Sequence, residues 1–556
     1  MTARTRNTVA EELPRLGRPG SRSAELHTEA PSKRDTGSSG ATRAASVRER
    51  SRFQFLRLMG TLGAVLIALG GFGGGAMPVV ENPWYRFTLG AAMGRMMLAS
   101  NAIVLVGVGL LVTAWLLMAP FVGAGAAQGS RSSARIDASI ILATFIAWVV
   151  PLSVTAPLFT QDIYSYLANG SIVRQGLDPY SAGPVELLSV DHHLARSVPF
   201  IWAHSPSPYG PVALGIAAVI SQLTGDSILW GVLAHRAVSV AGILAASWGL
   251  IALAKRCGVH PAAALWLGVL NPLTILHLVG GIHNEAIMVG FMLVGLEVGL
   301  RGIDSLGSRR TAWLSIVLSG VLLSCAGLVK VTGFIGLGFI GMALARKLNV
   351  RRSATASIAA AAAVQTAVLA ATTMAVALIT GIGFGWVTGQ GGAAQIRSWL
   401  SLTTDIGVIG GAAGMWLGLG DHTDAMLAVT RGAGLAVAAA FLVRMLWATF
   451  KGTIHPVGGL GVATLVLVIL FPVVQPWYPL WAILPLAAWA NRFFFRASVA
   501  AYSAAFSFLV LPRGLGLPPT SVVTVYLTAA AAFAALVALT WLRLRRRRRR
   551  GLHSRA

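Results

Sequence analysis

The chain has 556 residues, of which 55% are hydrophobic and only 11% charged, with a mean hydropathy of +0.71. Soluble domains carry about 25% charged residues, so this composition excludes an ordinary soluble fold and indicates a polytopic membrane protein, which the length of its apolar runs makes all-α. The formal charge is +25, from 44 Lys and Arg against 19 Asp and Glu. The arginines sit at the two ends and in short loops between apolar runs, a pattern that fits membrane topology and anionic lipid and argues against nucleic acid.

Residues 1–53 are rich in Ser, Thr, Arg, Glu and Gly and read as a disordered basic cytoplasmic arm. The first apolar run begins near Leu56, too late and too long for a signal peptide. From there apolar runs alternate with short polar breaks. Their length, roughly 15–25 residues, fits membrane helices, not barrel strands of roughly ten. Arg52, Arg57, Arg131, Arg135, Lys255, Arg256, the run Arg301 to Arg310, Arg346, Lys347 and Arg444 to Lys451 mark cytoplasmic loops. Spans near 57–78, 99–121 and 137–158 then leave residue 159 outside. The run 235–254 returns the chain, so 211–223 is expected as an interfacial or re-entrant helix, and by the same parity 403–419 as half-inserted.

Further spans fall near 261–279, 284–300, 311–328, 331–345, 355–380, 425–443, 457–474, 478–491, 497–512 and 520–541. The total is about 12–14 transmembrane helices with both termini cytoplasmic. The transmembrane domain covers 54–541, with an outer loop at 159–210 and an outer segment at 381–424. An Arg-rich cytoplasmic tail follows at 542–556. No internal repeat is visible, which counts against a transporter. The two cysteines, Cys257 and Cys325, lack metal-ligand spacing, and neither a disulfide framework nor a zinc site follows.

The densest polar group opens the outer loop. Asp162 follows the third span, flanked by Tyr164 and Tyr166. A partly desolvated carboxylate there suits a general base acting on a sugar hydroxyl. It equally suits a helix N-cap, with the tyrosines as an interfacial belt. Arg174 lies four residues before Asp178, and a helix-end brace is the plainer reading beside that of a phosphate ligand. Tyr209 sits in a Pro-rich stretch and fits a connector or an acceptor-binding edge equally well. Arg236, at the outer start of a span, either snorkels to lipid headgroups or meets a lipid phosphate.

A second group is His283, Asn284 and Glu285, after the hairpin glycines Gly280 and Gly281. At a membrane mouth these lean towards function, although Asn284 and Glu285 also fit capping and dipole roles. Lys330 is isolated in a short outer break and calls for a phosphate or Glu285 as partner. Trp477 belongs to an aromatic turn that reads as an interfacial belt first and a sugar-stacking wall second. No Walker motif, HExxH or nucleophile elbow is present, so a transferred group has to arrive by a route other than a bound nucleotide, and a lipid-borne donor fits an outward-facing membrane cavity.

Several short motifs, Gln161-Asp162-Ile163-Tyr164-Ser165-Tyr166, Gly176-Leu177-Asp178-Pro179-Tyr180, Pro208-Tyr209-Gly210-Pro211, Asn271-Pro272 and Gly281-Ile282-His283-Asn284-Glu285, occur in an order that resembles one family. It is that of the actinobacterial polyprenol-phosphomannose-dependent α-(1→6)-mannosyltransferases, of the MptB type. The resemblance covers about residues 55–540. It implies a GT-C type glycosyltransferase of the plasma membrane, with a large first outer loop bearing interfacial helices and the active site on the outer (periplasmic) face.

The implied donor is polyprenyl-phosphate-mannose and the implied acceptor a lipid-anchored mannoside. The product is an α-(1→6)-mannan of the lipomannan and lipoarabinomannan core, made with inversion. Asp162 corresponds to the family's acidic residue in the first outer loop and is expected as the base. Arg236, Lys330, His283, Asn284, Glu285 and Arg174 are expected around the donor phosphate and sugar, and Tyr164, Tyr166, Tyr209 and Trp477 around the acceptor. Many GT-C enzymes carry paired acidic residues in this loop, whereas here Gln161 stands beside Asp162. No metal and no cofactor are therefore expected. The rival reading is a lipid-linked sugar transporter or flippase, with a non-catalytic scaffold behind it.

Overall fold

The computed structural model describes residues 45–124, 136–308, 310–389, 396–514 and 516–553. Among these residues the chain is helical throughout and contains no strand. The first group of helices is α1 (Val47–Gly74), α2 (Met97–Met118), α3 (Ala138–Leu152), α4 (Asp162–Arg174), α5 (Pro211–Thr224), α6 (Ile228–Arg256) and α7 (Pro261–Gly268). The chain continues through α8 (Glu285–Asp304), α9 (Ala312–Val329), α10 (Ile335–Leu348), α11 (Ala354–Thr380) and α12 (Leu402–Trp416). It ends with α13 (Thr423–Lys451), α14 (Pro456–Leu470), α15 (Leu480–Trp489), α16 (Phe493–Phe506) and α17 (Pro519–His553). Among the described residues nine helices are long and apolar enough to cross a membrane, and five more apolar helices are shorter. The protein is thus a multi-pass, all-helical membrane protein.

Three boundaries differ from those expected. A capping box starts α1 at Val47: the Ser46 hydroxyl accepts from the Glu49 N–H, and the Glu49 carboxylate accepts from the Ser46 N–H at 2.7 Å. The expected arm 1–53 therefore overlaps a helix, and its residues 1–44 lie outside the described residues, as do Arg131 and Arg135. The C-terminal helix backbone does not stop at 541 but runs on to His553.

The expected span 261–279 is broken. Helix α7 stops at Gly268, and a π-helical turn follows at Thr274–Gly280. Pro272 supplies no N–H there, and Asn271 repairs the break. Its Oδ1 accepts from the Leu273 N–H at 2.9 Å, while its Nδ2 donates to the Leu267 carbonyl and the Ser503 hydroxyl.

Small residues let the long helices close up. A Cβ on Gly63 would lie 2.6 Å from the Gly107 carbonyl, so α1 and α2 touch backbone to backbone. Gly242 and Gly290 do the same for α6 and α8. Deeper in, Trp115 and Trp266 stack at 4.9 Å, and each indole N–H donates to the other residue's carbonyl at 2.8 Å.

The basic helix ends gather on one side. Arg256, ending α6, pairs with Asp304 at the end of α8. Cys257 touches His455, which caps α14, and Arg346 near the end of α10 packs on Gly452 after α13. Helix α8 has 20 residues, so its first residue, Glu285, stands about 30 Å from this basic end.

Candidate active site

At that far end the bundle encloses a cavity of about 510 Å³. Its first wall begins where the chain leaves α3. Phe159 has φ 67°, an uncommon and costly conformation for a residue with a side chain. Leu158 donates to the Gly280 carbonyl at 3.1 Å, and Phe159 to the Pro512 carbonyl at 2.7 Å. This sharp turn delivers Asp162 as the first residue of α4, with its own N–H donating to the Thr160 hydroxyl. Gln161, not Asp162, occupies the cap position. Its side chain turns away to donate to the Met77 carbonyl at 2.9 Å.

The Asp162 side chain is 23% exposed into the cavity, against 2% for Glu285, the other carboxylate on its wall. Oδ1 accepts from the Trp202 indole N–H at 3.1 Å, and Oδ2 lies 3.7 Å from Nδ1 of His283. Trp202 comes from a short helix of the outer loop, Phe200–Ala203. The sequence reading missed it: a Trp forty residues from its partner, on a helix of four, has no local pattern to betray it.

The opposite wall is built by the break after α7. Ile282 has φ 58°, a strained value for a β-branched residue. It swings His283 against Trp477, with ring centroids 4.0 Å apart, and His277 also stacks on Trp477 at 4.9 Å, 6.4 Å from His283. Burial lowers the affinity of His283 for a proton despite the nearby carboxylates of Glu285 and Asp162, so its imidazole is neutral. Its Nε2 is buried without a partner, as are Oε2 of Glu285 and Nε1 of Trp477.

Glu285 pairs with Lys330 at 2.7 Å. The Lys330 ammonium also donates to the Tyr478 hydroxyl at 3.2 Å and lies over the rings of Tyr478 and Trp481 at 4.3 and 4.7 Å. Between the walls, the hydroxyls of Tyr166 and Tyr209 meet at 3.0 Å, and burial keeps both phenols neutral by raising their pKa.

The structure brings Asp162, Tyr166, Tyr209, His283, Glu285, Lys330 and Trp477 to one cavity. It does not bring four other candidates there. The Arg236 guanidinium is buried outside the cavity lining, and its two terminal nitrogens donate to the carbonyls of Ser153, Thr155, Ala156 and Gly280, so it ties the bends of the chain together. Arg174 braces no helix end with Asp178. It pairs with Asp226 at 2.6 Å, alongside Ser171 and Ser221, and ties α4 to the turn before α6. Tyr164 is fully buried and donates to the Ala76 carbonyl, and Asn284 precedes α8 outside the cavity lining. Among the described residues no three His, Cys, Asp or Glu side chains converge on a metal-sized point, and none is assigned to one.

The fold and this cavity define a multi-pass membrane protein with a carboxylate, aromatic walls and a buried ion pair around one cavity. Residues 57–346 match the family model "Alpha-(1->6)-mannopyranosyltransferase, N-terminal domain", and residues 403–538 match "MptB C-terminal domain". The chain therefore belongs to the α-(1→6)-mannopyranosyltransferase family, on its B-type side, and is a membrane mannosyltransferase.

Alpha-(1->6)-mannopyranosyltransferase B of Corynebacterium glutamicum is 59% identical over 98% of this chain and 93% of its own length. A probable alpha-(1->6)-mannopyranosyltransferase of Mycolicibacterium smegmatis is 41% identical over 88% of both chains. Alpha-(1->6)-mannopyranosyltransferase A of Mycobacterium tuberculosis is 32% identical over 80% of this chain and 81% of its own. Among solved structures, the Archaeoglobus fulgidus oligosaccharyltransferase AglB aligns over 71% of this chain and 56% of that one, at 12% identity and a TM-score of 0.36. That value is too low for a common topology to be read from it.

Proposed function

We propose that the protein transfers mannose from polyprenyl-phosphate-mannose to a lipid-anchored mannoside, forming an α-(1→6) bond of the lipomannan and lipoarabinomannan core. Asp162 takes the proton of the acceptor 6-hydroxyl as that oxygen attacks the anomeric carbon. The bond to phosphate breaks on the opposite face, so a β-linked donor gives an α-linked product and one base suffices. The observation that carries this reading is the openness of Asp162: one oxygen is held by Trp202, and the other faces the cavity beside a neutral histidine.

Lys330 stabilises the departing phosphate by sharing its charge between Glu285 and the new anion. His283, Glu285 and Trp477 supply unpaired polar atoms to sugar hydroxyls, and Tyr166 and Tyr209 line the acceptor side. The position of the cavity, away from the basic helix ends, supports an active site on the outer face with both termini cytoplasmic.

The test is transfer by purified protein in detergent from radiolabelled polyprenyl-phosphate-mannose to a short α-1,6-mannoside. Wild type transfers, and Asp162→Asn transfers about 10² to 10⁴ times more slowly. Transfer by Asp162→Asn at the wild-type rate removes the base assignment. No transfer by folded wild type, with transbilayer movement of the donor in vesicles, replaces the enzyme reading by a flippase.

A further inference from the structure

The last two turns of α6 carry a second constellation, at the basic end of the bundle and far from the cavity. Trp248, Ile251, Ala252, Lys255 and Arg256 on α6 face Glu297 and Arg301 on α8 across a groove of about 750 Å³. Glu297 is buried, its side chain 4% exposed, and it receives both arginines: Nε of Arg256 at 3.0 Å and Nε of Arg301 at 2.6 Å. Both carboxylate oxygens are thereby occupied. The Arg301 guanidinium also lies over the Trp248 ring at 5.1 Å.

This clamp fixes the direction of Arg301 while its terminal nitrogens have no partner among the described residues. Lys255 is exposed and likewise has none. The three basic groups outnumber Glu297 and Asp304, so the groove is net positive. Its chemistry is also graded along the helix. Trp248 and Ile251 lie on the apolar stretch of the helix, and Lys255, seven residues beyond Trp248, stands about 10 Å nearer the helix end. Trp248 is 45% exposed, and an exposed Trp at that level suits the region between acyl chains and headgroups.

We propose that this groove binds one anionic phospholipid of the surrounding leaflet. The phosphate lies between Lys255 and Arg301, and one acyl chain runs along Trp248, Ile251 and Ala252. Basic pockets between membrane helices are suited to this class of ligand. A free phosphate satisfies the same two cations but leaves the apolar half of the groove empty. The site is independent of the mannosyl transfer proposed above.

The experiment is native mass spectrometry of the full chain in detergent, titrated separately with phosphatidylglycerol, phosphatidylcholine and inorganic phosphate. One phosphatidylglycerol binds at least about fivefold more tightly than phosphatidylcholine. Lys255→Gln and Arg301→Gln each weaken it about fivefold, the value of one basic group near an anionic headgroup, and leave phosphatidylcholine unchanged. Lys255 has no protein partner, so its variant folds as wild type, which the melting temperature checks. Equal affinity for the two lipids, or full phosphatidylglycerol affinity in both variants, overturns the proposal. Inorganic phosphate binding as tightly as phosphatidylglycerol overturns the lipid assignment and leaves an anion site.

Discussion

Replacing Glu285 by Gln removes a negative charge that is 2% exposed and 2.7 Å from the Lys330 ammonium. At an effective dielectric of about 20 and that separation, the attraction is about 6 kcal/mol. Lys330 keeps the Tyr478 hydroxyl and the faces of Tyr478 and Trp481 in both forms, so these contacts cancel in the difference. The new amide oxygen restores a hydrogen bond of about 1 kcal/mol. The net loss is about 5 kcal/mol, the upper edge of what breaking a buried pair costs.

Unfolding in mixed detergent micelles measures it, with Lys330→Gln and the double variant completing a cycle. The double variant is expected to be more stable than the two single losses added together, by a coupling of about 3 kcal/mol, because neither charge is then left alone. Additive losses, or a single variant as stable as wild type, refute the view that Glu285 and Lys330 hold each other in the wall.

Asp162→Asn keeps an oxygen for the Trp202 N–H and is expected to lower transfer by about 10² to 10⁴, the range of a positioned base, with an unchanged melting temperature. His283 is held below its ordinary pKa of 6.5 by burial. The unfolded chain therefore binds that proton first, and the stability from His283 is present above about pH 6.5 and lost as the pH falls. Melting temperatures of His283→Gln fall less steeply than those of wild type through that range. Asp226→Ala strands Arg174, Ser171 and Ser221, costs about 1–3 kcal/mol, and speeds limited proteolysis between residues 175 and 207.

The apolar runs were legible because lipid forces each into a helix, and their polar breaks pointed to Asp162, His283, Glu285 and Lys330, which share a cavity. What failed was the reading of cations. Arg236 and Arg174 looked like ligands for an anion because their partners lie some 44–83 and 47–52 residues away and include carbonyls, which leave no mark on a sequence. Asn271 and Pro272 were visible, but the apolar composition on both sides hid the end of α7 and the π-helical turn. Tyr164 and Tyr166 are two residues apart and point to different surroundings, since a helix turns about 200° over that interval.

The buried guanidinium of Arg236 gathers Thr155 and Ala156, which lead to Asp162, together with Gly280, which leads to His283. The two walls are thus gauged from a single point in the transmembrane core, while Trp202 and Tyr209 come from the outer loop. A substitution at Tyr209 therefore changes the lining of the cavity while the Arg236 contacts keep the distance between its walls.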